Sequence, residues 1–259
     1  MAARWLCRLR VHSAALGCGA VAGLAGVAAA SAEQPDTFHK RWDEGWQAGR
    51  YSKAGTGFHR AQPNPHLVHH KHLLPQGGRV LVPLCGKTVD LTFLAAGGFD
   101  VVGVEGSATA IAEFFEESGG GATPAAQPLG AFAARSVDSA SAGAGSIQLL
   151  EGDFFKLDKE SCGQFDAVWD RASMVAIEPE LREQYAQTIK AALKPGGVVL
   201  LNVVEHPPFE GGRLGPPFSI TEQEVRRVYE GDFDVQVLPV PEQSEGGDMS
   251  EHDYLLTMR

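Results

Sequence analysis

Apolar and polar residues alternate in blocks along most of this chain, and the lengths of the blocks predict its secondary structure. Short apolar runs predict buried strands, and the longer amphipathic segments between them predict helices. The predicted strands are Arg79–Pro83, Val101–Glu105, Ile147–Leu150, Phe165–Trp169, Val198–Val204, 233–240 and 253–258. The main predicted helices are His66–Leu74, Thr88–Ala96, Ala108–Glu117, Pro179–Leu193 and Thr221–Tyr229. This alternation favours an α/β fold, with a mostly parallel sheet and helices on both faces.

The first strand–helix–strand unit is the most informative part of the pattern. Its first apolar run ends in a turn that contains Gly86, and its second run ends on Glu105. Glu105 follows Gly86 by 19 residues, which is close to the spacing at which a carboxylate meets ribose hydroxyls in nucleotide-binding folds. A full G-x-G-x-x-G motif is absent, so the order of strand, turn, helix and acid carries the interpretation. The unit predicts a nucleoside site at the ends of these strands.

Two groups of side chains precede this unit. Trp42 and Trp46 are four residues apart, so both would lie on one face of a short helix, packed either on the core or against a ligand. Further on, His66, His69 and His70 share one face of the predicted helix. Histidines at this spacing can bind a metal, but they are more often solvated or capping groups. We therefore expect no metal site.

Two segments differ in composition from the rest. Residues 1–32 contain three arginines, no acid and an Ala/Gly-rich stretch, as is typical of an N-terminal targeting leader that is disordered or cleaved. We expect mitochondrial or other organellar targeting, with a secretory signal, a weak membrane anchor or a cytoplasmic location as alternatives. Residues 118–145 are a low-complexity insertion of Gly, Ala and Ser that we expect to be mobile and not catalytic. Residues 33–259 then form the functional domain.

Charge and cysteine content exclude several classes of partner. The net charge is −10, and removing the three leader arginines leaves −13 for the remaining chain. Such a body repels phosphate backbones and anionic lipids, so we expect neither nucleic-acid binding nor stable membrane association. Cys85 and Cys162, the cysteines outside the leader, form no C-x-x-C pair, which argues against disulfides and a zinc site. We expect a monomer.

The carboxyl ends of the predicted strands are where a parallel sheet binds its ligands. The residues expected there are Leu84, Gly86, Glu105, Asp153, Phe154, Asp170 and Arg171. Asp153 would either accept a hydrogen bond from an adenine amine, with Phe154 beside the base, or cap the following helix. Asp170 and Arg171 would either act in the site or form a buried structural ion pair.

Two residues of the first turn suggest other chemistry. Cys85 could be a nucleophile, but no general base is assigned beside it, and we expect it to pack. Lys87 could bind a phosphate, but the chain shows no second element of a phosphate-binding loop. A kinase or nucleotide hydrolase is therefore disfavoured.

A set of motifs follows one order from about residue 38 to the C-terminus. They are Trp42-x3-Trp46, Gly57-Phe-His, Asn64-Pro, Arg79-Val-Leu-Val-Pro-Leu-Cys-Gly-Lys, Val102-Gly-Val-Glu, Gly152-Asp-Phe-Phe, Phe165-Asp-Ala-Val-Trp-Asp-Arg and Gly215-Pro-Pro-Phe. In these motifs the chain resembles the thiopurine S-methyltransferases, a branch of the class I S-adenosylmethionine-dependent methyltransferases. The resemblance covers all of the chain except the leader.

The resemblance implies a Rossmann-like fold with a seven-stranded sheet, an antiparallel C-terminal strand and S-adenosylmethionine as cofactor. The cofactor-binding residues that it implies are Trp42, Trp46, Phe58, Leu84, Gly86, Glu105, Asp153, Phe154 and Arg171. The substrate-binding residues that it implies are Phe58, Arg171 and Phe218, and the catalytic residues are Arg171 and Asp170. Around residues 51–56 this chain carries several residues more than the family pattern.

The implied reaction is methyl transfer to a small thiol of the thiopurine or aromatic type. Halide, sulfide, and selenium or tellurium compounds are alternative acceptors for the same chemistry. An NAD-binding oxidoreductase would need a Gly-rich pyrophosphate turn and a second catalytic dyad, and neither is visible in the sequence. A non-catalytic protein that binds the cofactor is a third hypothesis.

Overall fold

A computed structural model describes residues 35–51, 59–118, 123–137, 144–241 and 248–259 of the chain. These residues belong to one compact unit, Ala32–Arg259. The predicted leader, residues 1–32, lies outside the described residues, and so does Phe58. The roles expected for both therefore stay predictions.

The order of helices and strands follows the predicted alternation. The strands are β1 (Arg79–Val82), β2 (Asp100–Glu105), β3 (Gln127–Leu129), β4 (Phe132–Val137), β5 (Ile147–Glu151), β6 (Phe165–Arg171), β7 (Leu193–Glu205), β8 (Phe233–Leu238) and β9 (Ser250–Met258). The α-helices are α1 (Pro35–Gln47), α2 (Pro65–His70), α3 (Asp90–Ala96), α4 (Ala108–Glu117), α5 (Lys159–Cys162), α6 (Arg182–Ala192) and α7 (Glu222–Tyr229). Short 3-10 segments cover Lys71–Leu73, Phe154–Lys156, Met174–Ala176, Pro179–Leu181 and Glu210–Gly212.

All nine described strands form one mixed sheet in the order β3-β4-β5-β2-β1-β6-β7-β9-β8. The five central strands, from β5 to β7, run parallel, and the pairs at both edges run antiparallel. The predicted α/β class with an antiparallel C-terminal end is confirmed. Strands β2 to β5 lie on one side of β1, and strands β6 to β9 lie on the other. Strand order therefore reverses beside β1, which is where such sheets bind ligands.

The sheet has two strands more than the seven expected, because the low-complexity insertion contains a β-hairpin. Strands β3 and β4 lie within residues 118–145, and β4 pairs with β5. Phe132 and Ala134 alternate into the core, while Gly130 makes the turn with a φ of +56°. The sequence pattern predicted no strand in this insertion, whose expected mobility stays a prediction. The alternation Phe132-Ala-Ala-Arg-Ser-Val137 is the strand signal that composition concealed.

Alternate residues of each central strand bury opposite faces of the sheet, as strand geometry requires. On one face, Leu81, Val168 and Leu201 pack in a cluster with α6 and α7; on the other, Val80 and Trp169 pack with α3 and α4. Burial on both faces explains why the central strands are continuous apolar runs. The polar residues at their carboxyl ends are therefore the exceptions that define the site.

Candidate active site

A cavity of about 460 Å³ opens at the carboxyl ends of the central strands. It extends from β2 across β1 and β6 to β7 and β9. Its walls are formed by Trp42, Asp43, Trp46, Tyr51, His59, Leu84, Gly86, Lys87, Asp90, Glu105, Ser107, Arg171, Asn202, Phe209, Arg213, Pro216, Pro217, Met249 and Glu251, among others. The structure thus brings Trp42, Trp46, Leu84, Gly86, Glu105 and Arg171, six of the predicted site residues, around one cavity.

The turn after β1 holds an unusual backbone conformation at the cavity wall. Leu84 has a φ of +45° and Gly86 a φ of +52°. A Cβ atom at Gly86 would approach the Trp46 ring to 3.2 Å, so this position needs glycine for both conformation and space. Among the described residues, Leu84 and Ala172, which follows β6, are the two non-glycine residues with positive φ. Both line the cavity, in keeping with the tendency of backbone strain to occur at functional sites.

Glu105, at the tip of β2, is held by backbone donors on both sides. One carboxylate oxygen accepts a hydrogen bond from Gly86 N–H at 2.8 Å, and the other accepts one from Ser107 N–H at 2.8 Å. The side chain is only 7% exposed and still lines the cavity. These bonds orient the carboxylate beside the glycine turn, and a carboxylate is an acceptor suited to ligand hydroxyls.

Helix α1 contributes aromatic rings to the cavity wall. The Tyr51 ring, which follows the helix, contacts both tryptophans: its centroid lies 5.2 Å from that of Trp42 and 5.7 Å from that of Trp46. Asp43 anchors the helix because it accepts a hydrogen bond from the Ser107 hydroxyl at 2.8 Å. Tyr51 was missed from the sequence because it lies among the residues that depart from the family pattern. It completes a three-ring surface suited to a cation or a flat molecule.

The opposite end of the cavity is assembled from strands that are distant in sequence. Arg171 on β6 pairs in register with Asn202 on β7, and Asn202 pairs with Asp253 on β9. Glu251, two residues before Asp253, lies on the same face of the sheet. Arg171, Asn202 and Glu251 line the cavity. Burial and the nearby Arg60 lower the pKa of Arg171, while Asp90 and Glu251 oppose this shift.

A loop after β7 forms the outer wall at this end. Phe209 N–H donates to the Arg213 carbonyl at 2.9 Å, and this closure puts the Arg213 guanidinium 4.2 Å from the Phe209 ring centre. Both side chains line the cavity together with Pro216 and Pro217. Neither was predicted, since a Pro/Gly loop shows no periodicity. Phe218, which was expected in the acceptor pocket, is not among the lining residues; its ring lies 5.7 Å from the Arg182 guanidinium.

The expected role of Asp170 requires a correction. Its carboxylate is fully buried and accepts hydrogen bonds from Tyr185 Oη at 2.8 Å and Met174 N–H at 3.2 Å. Successive strand residues point to opposite faces, so Asp170 lies on the face opposite Arg171, with Leu201 and Tyr254. Burial raises the pKa of Asp170 to about 6. Asp170 is neither a cavity residue nor a partner that orients Arg171.

The expected adenine contacts of Asp153 and Phe154 are also not supported. Asp153 accepts a hydrogen bond from Phe155 N–H at 2.9 Å and caps the 3-10 segment, which is the alternative that the sequence left open. The Phe154 ring is fully buried and lies 5.1 Å from the Tyr185 ring. Neither residue lines the cavity. Phe154 is core because it follows β5 on the face that packs against α6.

The two residues of the first turn that suggested other chemistry, Cys85 and Lys87, have structural roles. Burial raises the pKa of the Cys85 thiol well above its usual value, so this cysteine stays protonated and is not an activated nucleophile. Lys87 is buried between Glu113 at 2.8 Å and Glu117 at 2.6 Å. In the part of the chain that the structure describes, no cluster of three or more His, Cys, Asp or Glu residues could hold a metal ion.

No helix among the described residues is long and apolar enough to cross a membrane.

Comparison with known proteins identifies relatives of the chain. The family model described as thiopurine S-methyltransferase matches residues 39–250. A thiopurine S-methyltransferase of Pseudomonas aeruginosa (strain UCBPP-PA14) is 39% identical over 207 residues, which cover 79% of this chain and 86% of the relative. One from Xanthomonas euvesicatoria pv. vesicatoria (strain 85-10) is 40% identical over 203 residues, covering 76% and 84%.

Several solved structures with a similar fold are methyltransferases. The 1,6-didemethyltoxoflavin-N1-methyltransferase of Burkholderia thailandensis, with bound S-adenosylhomocysteine, superposes with a TM-score of 0.57 at 16% identity and covers 88% of this chain and 92% of its own. The glycopeptide N-methyltransferase MtfA, complexed with sinefungin, gives 0.54 at 16% identity, with coverages of 80% and 99%. At such identities the likeness concerns the fold alone, and it confirms the predicted Rossmann-like class.

Proposed function

The chain belongs to the thiopurine S-methyltransferase family, and from this premise we propose that it methylates small thiols of the thiopurine or aromatic type. The family uses S-adenosylmethionine, and the enzyme is a methyltransferase. The observation that carries the choice of acceptor is the shape of one cavity. It joins the Glu105 carboxylate at one end to Arg171 and a wall of flat, apolar groups at the other.

The residues at the Glu105 end fit the nucleoside of the cofactor. Glu105 is oriented by two backbone N–H groups, and the glycine at position 86 lets the Trp46 ring lie close to the turn. The rings of Trp42, Trp46 and Tyr51 form a surface suited to a positive charge. When bound, S-adenosylmethionine supplies a methyl group already activated on a sulfonium. We assign Glu105 to the ribose hydroxyls and the three rings to the neighbourhood of the sulfonium.

The residues at the Arg171 end fit an aromatic thiolate. Phe209, Pro216 and Pro217 offer flat apolar contact, and Arg171 places a positive charge at the inner wall. Aromatic thiols ionise readily, so the site needs little help from a general base. Its main tasks are then to align the sulfur atom and to exclude water, effects that can reach roughly 7–11 kcal/mol in favourable cases. The protonated Cys85 and the distant Asp170 take no part.

Alternative acceptors differ from this proposal in size. Halide or sulfide would occupy only a small part of a cavity of about 460 Å³ whose walls include the apolar groups Phe209, Pro216 and Pro217. That volume supports a planar organic acceptor. Selenium analogues of the same shape would be accepted for the same reason.

An acceptor screen with the purified full-length chain tests the proposal. Aromatic thiols, thiopurines, sulfide, halides and selenium compounds are each incubated with S-adenosylmethionine, and the S-adenosylhomocysteine released is measured. We expect kcat/KM to be highest for planar thiols. A preference for halide or sulfide would overturn the acceptor assignment, and binding of NAD in place of S-adenosylhomocysteine would overturn the cofactor site.

We also propose organellar targeting, which the basic, acid-free composition of residues 1–32 supports. A fluorescent protein fused behind these residues should accumulate in mitochondria. A uniformly cytoplasmic signal would contradict this.

A further inference from the structure

His66 is a fully buried histidine that lies between two carboxylates. Its Nδ1 atom is 2.6 Å from an Asp253 oxygen, and its Nε2 atom is 2.8 Å from a Glu251 oxygen. Burial alone would lower the pKa of His66, but its hydrogen bond to Asp253 and its close ionic contact with Glu251 outweigh this and raise the pKa to about 9. The imidazole is therefore a cation at neutral pH.

The start of helix α2 fixes the position of this imidazole. Asn64 caps the helix by accepting a hydrogen bond from His66 N–H at 2.9 Å, and Pro65 occupies the first turn. Asp90 in turn accepts from Asn64 N–H at 2.8 Å and from Trp169 Nε1 at 2.9 Å. His66 is thus tied to the core of the sheet through its own backbone.

An unbroken set of polar contacts leads from His66 to the cavity. The Asn202 amide donates to Asp253 at 2.8 Å and contacts Glu251 at 3.2 Å. Asn202 and Glu251 line the cavity, whereas His66 and Asp253 lie behind them. Glu251 also attracts Arg171, and it lies 3.5 Å from Arg60. The wall around Arg171 is therefore supported by side chains that no ligand touches.

The charge pattern favours a functional role over a purely structural one. Burying an ionic cluster costs desolvation, and apolar side chains of similar volume commonly stabilise a core as well or better. The cations around the carboxylates are His66, Arg60 and Arg171, and the anions are Glu251 and Asp253. His70, whose pKa is lowered by burial, lies 3.3 Å from Asp253. Asp90, which also lines the cavity and attracts Arg171, is a third anion, so the charges around this wall balance only while His66 is protonated.

We propose that His66 is a positioning residue: with Asp253 and Asn202 it fixes the Glu251 carboxylate, which holds Arg171 in the orientation that meets the acceptor thiolate. This inference rests on the proposed thiol acceptor. His66 touches neither the cofactor nor the acceptor, and it acts through Glu251. Loss of its proton removes one cation from the cluster and weakens the contacts that orient Glu251.

The test compares variants that change this cluster without leaving a buried charge unpaired. Asp253→Asn is nearly isosteric and weakens the hold of the cluster on the His66 proton. His66→Leu combined with Asp253→Leu removes one cation and one anion together. His72→Leu is the matched control, since His72 is an exposed histidine just after the same helix, and its Nδ1 atom lies 3.0 Å from the His69 carbonyl, outside the cluster. Folding is checked by circular dichroism and by S-adenosylhomocysteine affinity.

Rates are measured from pH 6 to pH 10 with a nitro-substituted thiophenol, which is already ionised at neutral pH. For the unaltered chain we expect kcat to fall as the pH rises through about 9, where His66 loses its proton. Asp253→Asn should move this fall to lower pH. The double variant should lower kcat roughly tenfold or more and abolish the fall, because a small misplacement of a reacting group costs up to about a hundredfold. The control should match the unaltered chain.

A double-mutant cycle with Glu251→Gln distinguishes positioning through Glu251 from general structural support. In the Glu251→Gln background, the His66 and Asp253 substitutions should have little further effect on kcat. Additive losses would overturn the inference, as would a pH profile of Asp253→Asn identical to that of the unaltered chain. Absence of thiol turnover by the unaltered chain would instead overturn the proposed function, so the two failures can be told apart.

Discussion

The two ends of the cavity are built in different ways. At the Glu105 end, the carboxylate is held by backbone N–H groups of two nearby turns, and the elements are consecutive in sequence. At the Arg171 end, side chains from β7 and β9 hold one another beside Arg171 on β6. Backbone contacts keep one geometry whatever the neighbouring side chains are, whereas side-chain contacts change with each substitution. The Glu105 end therefore suits a ligand that is the same in every reaction. The Arg171 end can change with substitutions and so suits ligands that differ.

The largest expected effect comes from breaking the Glu105 end. Glu105→Ala removes a carboxylate that accepts two backbone hydrogen bonds and, in our assignment, binds the ribose. We expect S-adenosylhomocysteine affinity, measured by calorimetry, to fall by about 3 kcal/mol, which is roughly a hundredfold. The free energy of unfolding should also fall, by about 1–3 kcal/mol, because Gly86 N–H and Ser107 N–H lose their acceptor.

Glu151→Ala is the control for this substitution. Glu151 pairs in register with Glu105 on the neighbouring strand but forms an ion pair with Arg135 outside the cavity. The affinity of the Glu151→Ala variant for S-adenosylhomocysteine should stay within a factor of about two of that of the unaltered chain. Equal losses in the two variants would mean that Glu105 has no special place in the site.

Breaking the Arg171 end should affect transfer more than cofactor affinity. Arg171→Met keeps much of the side-chain volume and removes the positive charge. We expect kcat for an aromatic thiol to fall roughly tenfold to a hundredfold, because the thiolate loses its electrostatic partner. S-adenosylhomocysteine affinity, measured in parallel, should change far less. A fully active variant would remove Arg171 from the mechanism.

A smaller effect is expected at the outer wall. Phe209→Ala removes the ring on which the Arg213 guanidinium stacks. The KM for planar thiols should rise by roughly threefold to tenfold, in line with about 0.5–1.5 kcal/mol for an aromatic contact. The KM for hydrogen sulfide should not change, since sulfide is too small to reach this wall. A parallel rise for both acceptors would show that the ring acts on the fold of the loop.

The smallest catalytic effect is expected from Asp170→Asn, which tests the separation of the two faces of β6. The rate of thiol methylation should stay within about threefold of that of the unaltered chain, because Asp170 does not reach the cavity. A larger loss of methylation rate would show that Asp170 takes part in the reaction.

The same substitution should change how stability depends on pH. The pKa of Asp170 is raised to about 6 in the folded chain, so the folded state binds this proton more tightly than the unfolded state. The free energy of unfolding therefore falls as pH rises from about 4 to about 6, by up to about 3 kcal/mol. Urea titrations at several pH values should show that this component is lost in Asp170→Asn. An unchanged pH dependence would contradict the assignment.

The difference between the ends also explains how far the sequence could predict the site. Leu84, Gly86, Glu105 and Arg171 follow directly from the rule that functional residues lie at the carboxyl ends of parallel strands. Glu251 lies 49 residues beyond Asn202, its hydrogen-bond partner, and only the antiparallel return of β9 brings the two together. Register of this kind depends on tertiary packing, so no local pattern reveals it.

The errors have similar physical causes. Asp153 and Phe154 follow a strand of the parallel sheet, but β5 lies one position beyond the cavity in the strand order, so its end packs on α6. Asp170 adjoins Arg171 in sequence, yet the two-residue period of the strand separates their side chains. The hairpin of β3 and β4 was hidden by small residues that still alternate between core and solvent.

A crystal structure of the chain with S-adenosylhomocysteine tests the central claim most directly. The account predicts the ribose hydroxyls within hydrogen-bond distance of the Glu105 carboxylate, with the sulfur atom facing the space bordered by Arg171. A nucleoside bound elsewhere, or a sulfur atom directed away from Arg171, would contradict it.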